Sequence, residues 1–105
     1  MSTFSKRLKE ARKAAGISQQ QLGIEAGIEP ASASARMNQY EKDKHAPNPA
    51  TVLQIAQVLK LPAAYFYSED DDEARLLVAF HRLSREERAR VMAVVVGGLD
   101  SRCTS

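Results

Sequence analysis

Between Ser32 and Pro49 the chain reads SASARMNQYEKDKHAPNP, with Arg36, Asn38 and Gln39 inside four positions and Lys42 and Lys44 just after them. Guanidinium and carboxamide groups are flat and present two hydrogen-bonding atoms side by side. Arginine therefore matches the paired acceptors on the edge of guanine, and asparagine or glutamine matches the donor–acceptor pair of adenine. Each such pairing is worth about 1–3 kcal/mol of discrimination. Lysine ammonium groups hold phosphates as point charges, which fixes position without reading sequence. Small neighbours, Ser32, Ser34 and Ala35, let a helix backbone come close to such a surface. These residue types point to recognition of a patterned polyanion.

No other chemistry assembles by spacing. His45 lies in a basic turn and His81 near a helix end, and neither has a second ligand at metal spacing. The acidic run Glu69 to Glu73 reads as the solvated start of a helix, where negative charge is favoured, and not as a metal site. Cys103 sits in a terminal SRCTS tail expected to fray, with no general base beside it, and there is no glycine-rich phosphate loop. The expectation is a protein that is not an enzyme and uses no metal or cofactor.

Composition sets the frame. The 105 residues suffice for one domain with a modest core, and 44% hydrophobic with 27% charged residues is a globular balance. A single cysteine cannot form an internal disulfide, which points to a reducing compartment. The N-terminus has no apolar secretion segment, and the longest apolar run, VMAVVV at 91–96, is far too short to span a bilayer. A cytoplasmic protein without a membrane partner is expected. The net charge of +2 is uneven: residues 1–67 hold nine Lys or Arg against five Asp or Glu, whereas residues 68–105 hold six against eight. A basic first part with an acidic-leaning tail suits a polyanion-binding module joined to an association element.

The elements that must position Arg36, Asn38 and Gln39 are all helical. Phe4, Leu8, Ala11 and Ala15 share one face of a helix over 3–15, stopped by Gly16. Ser18 and Gln21 form a capping-box pattern opening a short helix, about 18–26, that buries Leu22 and Ala26 and ends at Gly27. A third helix begins between Pro30 and Ala33 and runs to about Lys42. Ala33, Met37, Tyr40 and Glu41 face inward, and Ser32, Ala35, Arg36, Asn38, Gln39 and Lys42 face outward or lie on the flanks. Asn48 caps and Pro49 opens a fourth helix, about 49–60, with Val52, Leu53, Ile55, Ala56 and Leu59 as its apolar stripe. AAYFY at 63–67 adds a short turn after Leu61-Pro62. Ser68 and the acidic run start another helix to about Arg82, and Ser84 with Glu87 makes a second capping box for a last helix ending near Gly97-Gly98. No strand-like alternation or internal repeat is present.

The stretches RLKEARKAAGISQQQLGIEAGI at 7–28 and RMNQYEKDKHAPNPATVLQIAQVLKLP at 36–62 resemble the helix-turn-helix domain of phage-repressor-like (Cro/CI, or XRE) transcriptional regulators. The resemblance covers about residues 4–67. It implies an all-α fold: a five-helix, lambda-repressor-like helix-turn-helix domain over 1–67, followed by a C-terminal helical hairpin over 68–105. It also implies double-stranded DNA as partner, with Arg36, Asn38, Gln39, Ser34 and Ala35 meeting bases and Lys42 and Lys44 meeting phosphates. By the same resemblance Gln19, with Ser18, grips phosphate at the start of the second helix, and Arg12 forms an ion pair with Glu41. The chain departs from the family pattern in one place. Nine residues separate Gly27 from Met37, about four more than is usual, so the third helix or the loop before it is longer.

The tail supplies the second expectation. VMAVVV is apolar around most of a helix, so Val91, Met92, Val95 and Val96 need a cover. A homodimer interface supplies one, with packing on the fourth and fifth helices as the alternative. Two functions remain open at this point. One is a dimeric, sequence-specific regulator, expected to be a repressor on a palindromic operator. The other is an antitoxin or adaptor whose main partner is another protein, met through the C-terminal helices.

Overall fold

The computed structural model describes residues 2–103, and among these every regular element is a helix. In chain order they are α1 (Thr3–Ala14), α2 (Gln19–Glu25), α3 (Pro30–Glu41), α4 (Pro49–Leu59), a 3-10 turn (Ala63–Tyr67), α5 (Asp71–His81) and α6 (Arg85–Cys103).

Local chemistry sets most boundaries. Ser2, Ser18, Asn48 and Asp70 each accept a hydrogen bond from the backbone N–H three residues on, which satisfies one orphan donor of α1, α2, α4 and α5. Gly16 and Gly27 follow α1 and α2 with φ of +67° and +92°, a backbone that side chains with a Cβ rarely adopt. Ser84 and Glu87 cap reciprocally: Glu87 N–H donates to Ser84 Oγ at 3.2 Å, and Ser84 N–H to Glu87 Oε1 at 2.9 Å.

The core gathers one face from each element. Leu8, Leu22, Met37, Ile55 and Phe66 are fully buried, from α1, α2, α3, α4 and the 3-10 turn in that order. Phe4 stacks at an angle on Phe66 and Tyr67, closing the core beneath the first turn of α1. Helices α2 and α3 pack at backbone distance, since a Cβ on Gly23 would lie 2.8 Å from that of Ala33.

The additional residues before Met37 lengthen the helix and not the loop. Pro30 stands at its first position, where a missing N–H is harmless, and Ala33 is buried in the added turn.

Four expectations are corrected. Leu53 is exposed and leaves the α4 stripe, because Val52, Ile55, Ala56 and Leu59 already fill the face that meets the core. Asp70, not Ser68, caps α5; Ser68 is buried and its hydroxyl donates to Glu73 Oε1 at 2.9 Å. Helix α6 passes through Gly97 and Gly98, which keep negative φ instead of the left-handed turn that would stop it. The tail expected to fray is therefore helical to Cys103; the side chain of Cys103, and Thr104 and Ser105, lie outside the described residues.

The C-terminal pair is open. Of the α6 side chains from Arg85 to Gly98, only Arg88 and Val91 are half-buried and the others are exposed. The radius of gyration is 16.4 Å and the long axis 58 Å, against about 13 Å expected for a compact chain of this length. Packing of α6 on α4 and the 3-10 turn, the alternative cover for its apolar side chains, is thus not what the fold adopts.

Candidate nucleic-acid interface

Helix α3 carries the residues singled out from the sequence, and its placement rests on one buried carboxylate. Glu41, on its last turn, is 3% exposed. Arg12 of α1 meets it with two hydrogen bonds, Nε to Oε2 at 2.6 Å and a terminal nitrogen to Oε1 at 3.1 Å. The same guanidinium donates to the Ile17 carbonyl at 3.0 Å, which ties the turn before α2 into the pair. Paired, forked contact of this kind fixes angle as well as distance.

Gln19 enters from α2. Its amide nitrogen lies 3.3 Å from Glu41 Oε1 and 3.4 Å from Asn38 Oδ1. One side chain therefore links the buried pair to the outward face of α3 and orients Asn38. Next to it, Ser18 is exposed and its hydroxyl is engaged by Gln21 N–H. The N–H groups of Gln19 and Gln20 have no intrahelical acceptor, as at any helix start. The structure thus brings Gln19 beside Asn38, with Ser18 preceding it at the start of α2.

Around the outward surface of α3, Ser34, Ala35, Arg36 and Lys42 are exposed, and Asn38 and Gln39 are half-buried. Ala33, Met37, Tyr40 and Glu41 are its buried residues, as the helical wheel anticipates. Arg36 lies on the flank away from Asn38, between two polar notches. One, about 200 Å³, is lined by Ser32, Arg36, Tyr40, Thr51 and Gln54 among others, and the second, about 260 Å³, by Arg36, Gln39, Tyr40, His45 and Ala46. The turn after α3 is bound back onto it: Lys44 N–H donates to the Gln39 carbonyl at 2.9 Å, with Asp43 at a φ of +62°. Lys44 is exposed there. Thr51, Gln54 and His45 were not anticipated beside Arg36; only folding α4 and the turn onto α3 places them there.

The apolar side chains of α6 stand apart from this surface. Val91 is half-buried, whereas Met92, Val95 and Val96 are 46%, 54% and 41% exposed. Spacings of four pair Val91 with Val95 and Met92 with Val96 on one stripe. The elbow before α6 is built: Arg88 donates to the Phe80 and His81 carbonyls at 3.1 and 2.7 Å, and its guanidinium lies over the Phe80 ring.

Arg7 was missed altogether. It is 5% exposed and donates to the Ser68 carbonyl and to Asp71 Oδ1, both at 2.9 Å, so it locks the first turn of α5 onto α1. That hydrogen bond, with the charge of Lys6 adding to it, holds the Asp71 carboxyl below the usual carboxylate range. Burial, helped by Glu10, pushes the Tyr65 hydroxyl above its ordinary range. No pattern of spacing in the sequence marks Arg7.

Comparison with known proteins agrees with this fold. A profile of the helix-turn-helix domain family matches residues 5–71. The uncharacterized HTH-type transcriptional regulator RghRB of Bacillus subtilis (strain 168) is 38% identical over 63 residues, 59% of this chain and 42% of that protein. The chain thus spans about two-fifths of the length of that relative. The crystal structure of the transcriptional regulator BswR superposes with a TM-score of 0.83 at 42% identity, covering 92% of this chain and 94% of that one. The chain belongs to the helix-turn-helix domain family, as an XRE-like member akin to transcriptional regulators.

Proposed function

We propose that the chain is a sequence-specific, double-stranded DNA-binding regulator of transcription. The observation that carries this reading is the outward surface of α3, where exposed Arg36 and Lys42 flank half-buried Gln39 and Asn38. A twelve-residue helix is about 18 Å long and fits the major groove of B-DNA, which is about 12 Å wide. In this reading Arg36, Gln39 and Asn38 meet base edges, with Ser34 and Ala35 allowing close approach. Gln19, Ser18, Lys42 and Lys44 hold the phosphates on either side.

The division of labour follows the chain. Residues 1–67 bind DNA, and residues 68–105 join two copies through Val91, Met92, Val95 and Val96. Paired domains read two half-sites about 34 Å apart, hence a palindromic operator. Repression follows if that operator overlaps a promoter. The protein acts in the cytoplasm; no helix among the described residues is long and apolar enough to cross a membrane.

Selection of bound duplexes from a random DNA pool tests the reading. A palindromic consensus, together with affinity that falls steeply with salt as counterions are released, is expected. Affinity indifferent to salt between low and physiological concentration removes it. The exposed α6 stripe also suits the second reading, an antitoxin or adaptor. Under that reading substitution of Arg36 and Gln39 leaves the main partner bound, whereas Val95→Asp releases it.

A further inference from the structure

Resting on the reading in which residues 68–105 join two copies, we propose that α6 of one copy seats in the groove between α1 and α5 of its partner. Helix α1, part of the DNA-binding domain, is then one wall of the dimer interface. Two observations on separate faces of the subunit complement each other: an open groove, and an apolar helix that its own subunit leaves uncovered.

Two arginine clamps build the groove. At one end Arg7 donates to the Ser68 carbonyl and to Asp71, both at 2.9 Å, and ties the start of α5 to α1. At the other end Arg82 donates to the Lys60 and Leu59 carbonyls at 3.3 and 3.4 Å, and ties the end of α5 to α4. Between the clamps α5 stands off α1. Two recesses of about 760 and 190 Å³ remain there, joined through Tyr65, Val78 and Arg82, which line both. Their walls are short, because Ala14 and Ala15 of α1 and Ala79 of α5 are exposed along them. Small walls let another helix come close, since the distance between packed helices follows the size of the side chains at the contact.

The subunit's own α6 does not reach this groove. Only residues 82–84 join α5 to α6, and Arg88 pins the elbow to the Phe80 and His81 carbonyls at 3.1 and 2.7 Å. Helix α6 therefore leaves from the Arg82 end and extends the molecule to 58 Å. A second copy supplies the matching shape. Val91, Met92, Val95 and Val96 fall within six residues, about 9 Å of helix, and the 11 residues of α5 wall a groove of about 16 Å. An apolar helix face laid into a groove is a recurring mode of recognition. Interface size points the same way. A stable interface takes about 20–30 residues a side, and four α6 side chains meeting their own copies fall far short. Nine residues line the larger recess and eight the smaller, three of them shared, so seating in the groove engages fourteen more on each copy. Because α1 also carries Arg12, which holds Glu41 of α3, the partner's α6 fixes how far apart the two α3 helices stand.

The test is crosslinking of the full-length protein by a short bismaleimide, in a Cys103→Ser background that leaves no other thiol. Ala14→Cys marks the α1 wall and Val95→Cys the α6 stripe, both at exposed positions. Mixed and allowed to exchange subunits, the two variants are expected to form a covalent heterodimer, and each alone none. Self-linkage of either variant means that like faces meet, and overturns the inference. A mixture that never links, although sedimentation shows a dimer, also overturns it and leaves the dimer reading standing. A protein that stays monomeric at every concentration overturns both. Ala79→Trp, which fills the groove from the α5 side, is expected to weaken dimerisation about tenfold or more with helical content unchanged. A dimer indifferent to that substitution counts against the inference equally.

Discussion

Arg12→Ala tests the scaffold that presents α3. The substitution removes two charge-assisted hydrogen bonds to Glu41, at 2.6 and 3.1 Å, and a third to the Ile17 carbonyl at 3.0 Å. Glu41 then keeps only the Gln19 amide, at 3.3 Å, and at 3% exposure it cannot recruit a full water shell. Removing one partner of a buried pair costs about 3–5 kcal/mol. The Arg12 side chain is 14% exposed, so some water reaches the space it vacates, and the lower end, about 3 kcal/mol, applies. For a domain near this size that lowers the thermal midpoint by about 12 °C or more. Far-ultraviolet circular dichroism on heating, with urea titration alongside, measures it. The companion double variant Arg12→Met, Glu41→Leu replaces both charges with apolar groups and is expected to recover most of the loss, since such replacement is close to neutral. A midpoint for Arg12→Ala within about 2 °C of wild type would show that Glu41 does not depend on this guanidinium, and the account of how α3 is held would fail.

Gly23→Ala places a Cβ 2.8 Å from that of Ala33. Overpacking of about 1–3 kcal/mol outweighs the roughly 1 kcal/mol that alanine gains in a helix, and urea unfolding should show a net loss. Adding Ala33→Gly should not restore it, because the Ala33 carbonyl oxygen and Cα would still lie 3.0 and 3.1 Å from the new Cβ. Arg7→Ala strands the Ser68 carbonyl and frees the first turn of α5, so a loss of about 3 kcal/mol by the same denaturation is expected. The carboxyls of Asp71 and Glu87 are both depressed, by the Arg7 hydrogen bond and by the Ser84 N–H in turn. Their contribution is therefore fully present above the unfolded carboxylate range and lost as pH falls below about 4. Acid titration followed by circular dichroism should show this loss weakened in Asp71→Asn and Glu87→Gln. Val95→Asp is expected to shift sedimentation toward the monomer without lowering the thermal midpoint of the isolated subunit, because that side chain is 54% exposed and lies outside the core.

Capping was legible because it is local. Ser18, Asn48 and the Ser84–Glu87 pair each act on a backbone group three residues away, so type and spacing suffice. The inward face of α3 was equally plain, since Ala33, Met37, Tyr40 and Glu41 recur at helical spacing and an inward carboxylate demands a cation. The loop-or-helix choice before Met37 was not legible, because Pro30 and Ser32 are each acceptable at a helix start. The close approach of Ala33 to Gly23 supplies packing for the added turn, and only the folded pair of helices contains it.

By itself, then, the sequence determined the helices, most of their caps and the outward polar surface of α3. Those follow from hydrogen bonds and periodicities within a few residues. Tertiary structure alone decided the distant partners of Arg7, which lie 61 to 64 positions along the chain, and the placing of Thr51, Gln54 and His45 around Arg36. It also decided that α6 stands clear of the core. The reason is that burial and long-range pairing depend on where whole helices settle against one another, and no local window of residues encodes that distance.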